Sequence, residues 1–559
     1  MNDVIHLSAS THQDGTASGL GSLALAREAQ SKDLVIGVVG AAGSGTSWAA
    51  EIMKRLLRRG GINSQIIKAR SVLQAANPTG WAAAAQKSGM ERAEAFQKIG
   101  DGLRRNNDNA FVAAGLISEI AKQRTSASAA EPLIVICDSL RHPDEAKLLR
   151  SVYGEAFWLL GVVCDEATRR KRLLKKHGLE DHGVEADSLD LFMKRDEDSG
   201  EPHGQKVAAT FELGDFFIDS SPPIRNHEVP DTELDEWPVT SSLGRFLDLI
   251  RGARPLLRPT DGEQAMYQAY AARLGSACLS RQVGAALIDR KGQLLATGCN
   301  EVPRAGGGLY GQGDDDAEER ERGRCHVLNG YCSNTRERES IIDDLLDVLG
   351  EQGMQIPSEE EKLTGLRRSL RHSRVGQLIE FSRSVHAEMD ALISAARKGV
   401  STVGSRLYVT TFPCHNCARH IVAAGVDEVH FIEPYLKSKA LSLHSDSITL
   451  PRADWVPPST TREGAGRRQK RVKFSPYIGA APRLFRRAFV KDGEVKDDKT
   501  GDVLHQPKPG MLNRRPLADG YRSVEEKIAG EFERRAGHPT EGAASAGTVP
   551  RSAGDGNAT

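Results

Sequence analysis

Four side chains in the second half of the chain have the types and spacing of a catalytic metal centre. His386 stands two residues before Glu388, Cys414 follows that glutamate by 26 residues, and Cys417 lies three residues further on. One imidazole and two thiolates suit Zn²⁺, and three protein ligands leave a fourth position for water, as in catalytic zinc sites. Zinc lowers the pKa of such a water to near neutrality, so a carboxylate that is not a ligand can carry its proton. The spacing therefore predicts one catalytic zinc held by His386, Cys414 and Cys417, with Glu388 as the general acid and base.

Local patterns place these four side chains on two helices that flank a buried strand. Residues 386–398 carry apolar side chains on one face and stop at Gly399, which predicts a helix. Residues 406–412 predict a buried strand, and residues 414–424 predict a second helix. The first turn of that helix holds both cysteines on one face, where the helix N-terminus stabilises the thiolates that zinc requires. A purely structural zinc site, the alternative, leaves Glu388 without a role.

The order H-x-E followed by P-C-x-x-C is typical of zinc-dependent nucleobase deaminases, and a resemblance continues upstream. Residues 276–300 resemble the opening of the deoxycytidylate deaminase family, in which an S-x-x-x-x-R-x-V-G-A strand, a turn and an A-T-G-x-N strand precede the zinc motif. The resemblance implies that Arg281 contacts the substrate phosphate and that Asn300 contacts the sugar. A guanidinium can bind two phosphate oxygens at once, and an amide can both donate to and accept from a hydroxyl. Two structural roles stay open, a surface position for Arg281 and a turn-shaping role for Asn300.

A glycine-rich loop near the start of the chain has the spacing of a phosphate-binding loop. It follows an apolar strand, Leu34–Val39, and precedes a helix predicted from about Trp48 to Arg58. Strand, glycine loop and helix form the architecture of a P-loop, G-x-x-x-x-G-K-[ST]. Thr46 replaces the lysine here, so we expect the backbone and Ser47 to bind phosphate and a magnesium ion, but phosphoryl transfer to be poor. A decayed loop that binds nothing stays open as the alternative. The predicted nucleotide-binding residues are Gly40, Gly43, Gly45, Thr46 and Ser47, with Asp138 at the end of a later apolar strand.

Composition narrows the class of protein. Of the 559 residues, 75 are basic and 75 are acidic, and this zero net charge argues against a general nucleic-acid coat protein, which is usually strongly basic. No apolar stretch approaches the roughly 20 residues of a membrane helix, and no cationic and apolar leader opens the chain. Eight cysteines are few for this length, so we expect reduced thiols and a cytoplasmic protein without a membrane partner.

The chain is too long for one hydrophobic core and is expected to fold as two α/β domains. Apolar strands that alternate with helices in the first half predict a P-loop nucleotide-kinase-like parallel sheet. The zinc motif and the segment before it predict a C-terminal cytidine-deaminase-like α/β/α domain. The predicted organisation is a disordered tail at 1–32, the P-loop kinase-like domain at 33–252, the zinc deaminase domain at 262–495 with an insertion at about 303–380, and a second disordered tail at 530–559.

Two further segments have more than one interpretation. Cys325, His326 and Cys332 lie close together inside the insertion and could hold a second, structural zinc with Cys278, although the same spacing suits buried thiols.

Residues 467–491 are basic with interleaved aromatic side chains. Such a stretch suits nucleic acid, a substrate triphosphate or an amphipathic packing helix equally well.

Residues 34–490 as a whole resemble the bacterial anti-phage dCTP deaminases, in which a P-loop kinase-like domain precedes a deoxycytidylate-deaminase-like domain with a long insertion. The resemblance implies hydrolytic deamination of deoxycytidine nucleotides, dCTP to dUTP, which depletes dCTP during phage replication. We expect a deoxycytidine nucleotide as substrate, a regulatory nucleotide at the P-loop, a homo-oligomer and no nucleic-acid partner. Three alternatives stay open: a housekeeping dCMP deaminase, a polynucleotide cytosine deaminase, and a P-loop nucleotide sensor whose deaminase is secondary.

Overall fold

The structure, a computed structural model, describes most of the chain as two sheets with helices packed on their faces. No helix among the described residues is long and apolar enough to cross a membrane. The described residues are 30–126, 132–178, 186–222, 234, 238–251, 257–311, 322–435, 438–451, 454–460, 470–489, 496–502 and 518–537.

The first sheet contains six strands, β1 (Leu34–Val39), β2 (Gln65–Lys68), β3 (Ile134–Leu140), β4 (Phe157–Val163), β5 (Phe216–Asp219) and β12 (Gly479–Ala480). Their order across the sheet is β12-β5-β4-β1-β3-β2. All pairs are parallel except the antiparallel pair of β12 with β5. The central strands are almost wholly apolar and buried, as expected for parallel strands that helices cover on both faces.

Eleven described helices accompany this sheet: α1 (Thr46–Arg59), α2 (Ala69–Ala76), α3 (Pro78–Ala85), α4 (Gly89–Asn106), α5 (Phe111–Ser126), α6 (Pro143–Tyr153), α7 (Glu166–His177), α8 (Ala186–Glu197), α9 (Val207–Phe211), α10 (Pro238–Arg251) and α19 (Ala518–Gly537). Neighbouring side chains of a strand point to opposite faces. Ile36 of β1 therefore packs in the core formed with α1 and α10, whereas Val35 packs in the core formed with α5, α6 and α19. This arrangement matches the α/β class and the parallel sheet predicted for the first half.

The second sheet also contains six strands, β6 (Gly284–Ile288), β7 (Leu294–Cys299), β8 (Arg406–Thr411), β9 (Glu428–Glu433), β10 (Ile448–Thr449) and β11 (Val472–Pro476). Their order is β10-β11-β9-β8-β6-β7. β6 and β7 form an antiparallel hairpin through a turn at Asp289–Gly292, as the sequence predicts. β8, β9, β10 and β11 are parallel to one another.

Helices cover the two faces of the second sheet differently. Leu287 and Val409 face α15 (Ala387–Arg397) and α16 (His415–Ala423), while Ala286 and Tyr408 face α11 (Asp261–Arg273) and the first half of the chain. Three helices, α12 (Cys325–Leu328), α13 (Ser333–Glu351) and α14 (Glu360–His372), lie in the predicted insertion between β7 and α15. The helices of this half are α11 (Asp261–Arg273), α12 (Cys325–Leu328), α13 (Ser333–Glu351), α14 (Glu360–His372), α15 (Ala387–Arg397), α16 (His415–Ala423) and α17 (Ala440–Leu443).

The two halves are joined by more than a linker. After β11 the chain crosses back, β12 extends the first sheet, and α18 (Pro482–Ala488) follows it. Glu263 of α11 fixes the crossing, because its Oε1 accepts a hydrogen bond from the Ala480 backbone N–H at 2.9 Å and its Oε2 pairs with Arg245 of α10 at 2.6 Å. The zinc domain was predicted at 262–495, but its strand β12 near the C-terminal end is part of the first sheet.

Part of each segment predicted to be a disordered tail belongs to the described fold. Residues 530–537 belong to α19, which packs on α5 with the Phe532 and Phe111 ring centroids 5.0 Å apart. Ser31, within the predicted first tail, is buried and its hydroxyl lies 2.8 Å from that of Tyr521. Burial of a single apolar side chain such as Phe532 stabilises the fold even when the surrounding segment is polar. Residues 1–29 and 538–559 lie outside the described residues.

The basic stretch at 467–491 is largely structural where it is described. Phe474 and Tyr477 are fully buried, Phe474 in the core of the second sheet and Tyr477 between the two halves. Lys473 pairs with Glu428 at 2.9 Å. Phe474 and Tyr477 are therefore not available to stack on nucleic-acid bases, and the partly buried Phe485 stacks on Tyr267 with ring centroids 4.5 Å apart.

Candidate active site

Helix α15 positions His386 and Glu388 against the second sheet. His386 is its N-cap residue, and Glu388 lies in its first turn. The helix approaches β7 closely because Gly298 has no side chain, and a Cβ there would collide with the Ala387 carbonyl oxygen. The glycine of the A-T-G-x-N segment thus allows the start of α15 to reach the end of the sheet where the two cysteines lie.

Helix α16 positions both cysteines at the end of β8. Cys414 is the N-cap residue, and its Sγ accepts a hydrogen bond from the Cys417 backbone N–H at 3.4 Å. The Nδ1 atom of His386 lies 3.3 Å from Cys414 Sγ and 3.2 Å from Cys417 Sγ. All three ligand atoms lie within 4.8 Å of one another. The structure therefore brings the three predicted zinc ligands together.

Electrostatics in the site favour a thiolate before any metal binds. Hydrogen bonds from Cys417 and from His386 lower the pKa of Cys414 to about 4. The same contact with Cys414 raises the pKa of His386 to about 9, because a thiolate partner stabilises the imidazolium. Burial raises the pKa of Glu388 to about 7. Glu388 thus has the proton affinity that a general acid and base needs near neutral pH.

These donors fit Zn²⁺, which binds thiolate sulfur and imidazole nitrogen in tetrahedral sites. Among the described residues, they form the only group of three or more His, Cys, Asp or Glu side chains whose ligand atoms converge. Cys325, His326 and Cys332 do not converge in this way, so the structure does not support the second zinc that their spacing suggested. Cys332 Sγ instead lies 3.5 Å from Ser280 Oγ.

The zinc group opens into a cavity of about 500 Å³. This volume lies within the roughly 300–1,000 Å³ of small-molecule sites. His386, Glu388 and Cys414 line this cavity together with Arg281 and Asn300. The structure therefore collects the predicted metal, proton-transfer and substrate residues into one site.

Arg281 is half-exposed and has a carboxylate partner. Its guanidinium lies 3.2 Å from Glu433 Oε2, and Arg273 lies 3.3 Å from Glu433 Oε1. Thr411 also donates a hydrogen bond to Glu433 at 2.7 Å. The buried carboxylate of Glu433 thus holds two arginines at one side of the cavity, and Arg281 keeps further N–H groups for a ligand.

Asn300 is buried and shapes the loop that carries Arg281. Its Oδ1 accepts a hydrogen bond from the Val283 backbone N–H at 2.6 Å, and its Nδ2 donates to the Arg281 carbonyl oxygen at 2.6 Å. One amide hydrogen and one lone pair remain for a ligand. The turn-shaping role that the sequence left open is therefore present, and it does not exclude a contact with substrate.

The glycine loop in the first half lies between β1 and α1 and contains two glycines in the left-handed region. Gly43 and Gly45 have φ values of 81° and 88°, a region that favours glycine. Ser47 Oγ donates a hydrogen bond to Asp138 Oδ2 at 2.6 Å, and Thr46 Oγ1 lies 3.1 Å from Ser139 Oγ. The structure thus places the loop beside the aspartate that the sequence paired with it.

Comparison with known proteins agrees with this geometry. Residues 259–433 match the family described as the cytidine and deoxycytidylate deaminase zinc-binding region. The deoxycytidylate deaminase of Enterobacteria phage T2 is 30% identical over 171 residues, which cover 31% of this chain and 79% of the phage protein. ComE operon protein 2 of Bacillus subtilis is 41% identical over 54 residues, 10% of this chain and 29% of that protein. The dCMP deaminase of cyanophage S-TIM5 in apo form is 16% identical, and the match, with a TM-score of 0.20, covers 40% of this chain and 100% of that chain.

The fold of the second half and its His-Cys-Cys group define a zinc-type cytidine nucleotide deaminase. The chain belongs to the deoxycytidylate deaminase family.

Two acidic residues of the site were not predicted. Glu433 ends β9, and Glu212 follows α9 in the first half of the chain and lines the cavity with Arg281. Glu433 could have been predicted, because it is an acidic residue directly after the strand segment VHFI. The carboxyl ends of parallel strands lie at one edge of a sheet, where ligand-binding sites commonly form. No local signal marks Glu212, since only the contact between the two halves brings it to the cavity.

Proposed function

We propose that this protein deaminates deoxycytidine nucleotides hydrolytically and converts dCTP to dUTP. The observation that carries the proposal is the single cavity lined by His386, Glu388 and Cys414 together with Arg281 and Asn300. Its size suits a nucleotide, and its basic side suits a phosphate group. Formation of dUTP and ammonia from dCTP by the purified, zinc-loaded protein tests it.

Each residue has one task in this reaction. His386, Cys414 and Cys417 would hold Zn²⁺, which would supply an activated water for the ring carbon that bears the amine. Glu388 would carry one proton of this water to the ring nitrogen and the second proton to the departing amine. Its burial keeps bulk water from competing for these protons. Arg281 binds the phosphate, and Asn300 orients the sugar.

Triphosphate as substrate and a role in anti-phage defence rest on the resemblance of the whole chain to the anti-phage dCTP deaminases. Removal of dCTP by such an enzyme would limit phage DNA synthesis. A housekeeping dCMP deaminase uses the same zinc chemistry, and the substrate preference separates the two. The burial of Phe474 and Tyr477 within the basic stretch favours a nucleotide over a polynucleotide substrate.

Arg281→Ala is expected to raise KM for dCTP and dCMP about tenfold or more, because a hydrogen bond to a charged group contributes about 1.5–3 kcal/mol. kcat is expected to change less, since the zinc group is untouched. Turnover of unphosphorylated deoxycytidine is expected to be unaffected. Steady-state kinetics on the three substrates measure this, with Arg304→Ala, an exposed arginine outside the cavity, as the matched control. An unchanged KM for both nucleotides would remove Arg281 from the phosphate site.

We further propose that the glycine loop, Gly40 to Ser47, is a P-loop that binds a regulatory nucleotide and transfers phosphate poorly. The left-handed conformations of Gly43 and Gly45 and the contact of Ser47 with Asp138 support phosphate and magnesium binding. Thr46 cannot supply the cation that stabilises a transferring phosphoryl group. Binding can bias the deaminase only through a difference in affinity between its two states.

A short segment offers the route for such a bias. Asp196, near the end of α8, accepts a hydrogen bond from the Ala42 backbone N–H of the loop at 2.6 Å and pairs with Arg141 at 2.6 Å. The chain then runs through Asp198, which lines the deaminase cavity, into α9. A nucleotide that moves the loop would therefore act on a segment that forms part of the substrate site.

Gly45→Val is expected to abolish nucleotide binding at the loop, because valine at a φ of 88° is strained and its side chain enters the space of the phosphate. Ser47→Ala, which removes the hydroxyl that donates a hydrogen bond to Asp138, is expected to weaken magnesium-dependent binding without loss of fold. Calorimetry with ATP, GTP and deoxynucleoside triphosphates, followed by dCTP deamination with and without each nucleotide, measures both effects. Unaltered affinity and unaltered regulation in both folded variants would show that this half is not a sensor, and robust phosphoryl transfer by the wild type would make it a kinase.

The remaining proposals concern context. We infer a cytoplasmic homo-oligomer with a kinase-like unit at 33–252 and a zinc unit from 262, the latter extending into the first sheet through β12. Reduced thiols fit this compartment, since the structure describes all eight cysteines as unpaired. Size-exclusion chromatography with light scattering tests the oligomer.

A further inference from the structure

The substrate cavity is not built by the zinc half alone. Ala208 and Ala209 of α9, together with Asp198 and Glu212 on either side of that helix, line the cavity from the first half of the chain. Arg281, which carries the proposed phosphate contact, lines the same cavity. The kinase-like half thus contributes one wall of the deaminase site, and this wall is acidic.

Glu212 is the residue of this wall that acts on Arg281. It is half-buried, and its carboxyl group forms no hydrogen bond or salt bridge with any residue of the described part of the chain. The charged groups that act on it are Glu433, which repels its carboxylate, and Arg281 and Arg273, which attract it. Asp198 lines the same cavity but is exposed, so solvent screens its charge.

The other elements packed against α9 leave this balance unchanged. β1 has no ionisable side chain. On β9, Glu428 pairs with Lys473 and lies 3.4 Å from His430. The charged side chains of α6 and of the end of α8 have their own partners, except Lys194, which is exposed. These pairs are Lys147 with Asp144, Glu145 with Arg104, Arg150 with Asp215, Arg195 with Asp101, Asp196 with Arg141, and Glu197 with Arg169. Burial, followed by repulsion from Glu433, raises the pKa of Glu212 to about 7. Near neutral pH this side chain is therefore divided between its neutral and its charged form.

The two forms present different sites to a phosphate group. With Glu212 neutral, the guanidinium groups of Arg273 and Arg281 face the single carboxylate of Glu433, and one net positive charge remains. With Glu212 ionised, that charge is cancelled, and a carboxylate stands near the phosphate position. Like charges in a partly desolvated cavity repel more strongly than in water.

We propose that Glu212 is a specificity-determining residue that admits the substrate phosphate to Arg281 as a neutral acid and repels it as a carboxylate. This inference rests on the proposed function, because it takes Arg281 as the phosphate contact. It makes binding of phosphorylated deoxycytidines proton-linked, and it assigns that linkage to the kinase-like half of the chain.

The test compares KM for dCTP and dCMP in wild type and Glu212→Gln at pH 6, 7 and 8. The ratio of wild-type to variant KM cancels the ionisation of the substrate phosphate and of all other groups. We expect this ratio to rise about tenfold between pH 6 and pH 8, because ionisation of one group near pH 7 weakens binding tenfold for each unit above its pKa. The same ratio for deoxycytidine, which has no phosphate, is expected to stay constant.

The controls separate this inference from the proposed function. Glu201→Gln, an exposed acid on the same segment outside the cavity, is expected to follow the wild type. Parallel pH profiles for wild type and Glu212→Gln, with the Arg281→Ala effect intact, would overturn the role of Glu212 alone. A zinc-loaded wild type that deaminates no deoxycytidine nucleotide would overturn the proposed function and this inference with it.

Discussion

Glu388→Gln in the zinc-loaded protein is expected to lower kcat for deoxycytidine nucleotides by about 10²–10⁴-fold, the range typical of a general acid or base. The loss is expected at the upper end, because one carboxyl group serves the attacking water, the ring nitrogen and the leaving amine. Glutamine has nearly the same shape but cannot exchange protons. Zinc content is expected to stay at one per chain, since Glu388 is not a ligand.

Rapid quench kinetics together with metal analysis measure both quantities in one preparation. Glu351→Gln, an exposed acid on α13, is the matched control and is expected to retain full activity. Near-normal turnover by zinc-loaded Glu388→Gln would contradict the proposed proton transfers, whatever the substrate.

Cys414→Ser combined with Cys417→Ser is expected to remove zinc and to destabilise the second half of the chain. Hydroxyl groups replace both thiolates, and the imidazole of His386 alone cannot hold the metal. Zinc affinity contributes to folding free energy when the site forms only in the folded state. Both sulfur atoms are also buried in the core between α15 and α16.

Metal analysis and thermal unfolding with and without a chelator measure this effect. We expect the chelator to lower the Tm of the wild type and to leave that of the double variant unchanged. The matched control is Cys164→Ser with Cys299→Ser, two half-buried cysteines outside the zinc group. Undiminished zinc in the Cys414 and Cys417 variant would contradict the assignment of these ligands.

The zinc centre could be predicted from sequence because its signals are local. The helix predicted at 386–398 is observed at Ala387–Arg397, and the helix predicted at 414–424 is observed at His415–Ala423. Each half of the metal site lies within one turn of a helix start, so spacing along the chain is close to spacing in space. The strand LVIGVV could be predicted because it is a continuous apolar run, and RLYVTT because it is rich in aromatic and β-branched residues.

The acidic wall of the cavity could not be predicted, because it depends on contacts between distant parts of the chain. Glu212 and Arg281 line the same cavity only because the two halves pack together and place α9 against β9 of the second sheet. The crossing of β12 to β5 has no local signal either, since Gly479 and Ala480 are only two residues. The spacing of Cys325, His326 and Cys332 suggested a second zinc site. These residues are near in sequence, but their ligand atoms do not converge in the structure.

The most direct test of the central proposal is a substrate panel on one preparation of zinc-loaded wild type. Ammonia release and uracil-containing product are measured with dCMP, dCDP, dCTP, CTP and a cytosine-containing single-stranded DNA, with and without phage lysate and with Glu388→Gln as the blank. We predict zinc-dependent conversion of dCTP to dUTP at the highest kcat/KM of the panel, and no product from the single strand. Three results would contradict the account: product from dCMP without product from dCTP, product from the DNA strand, or no product from any of the five substrates.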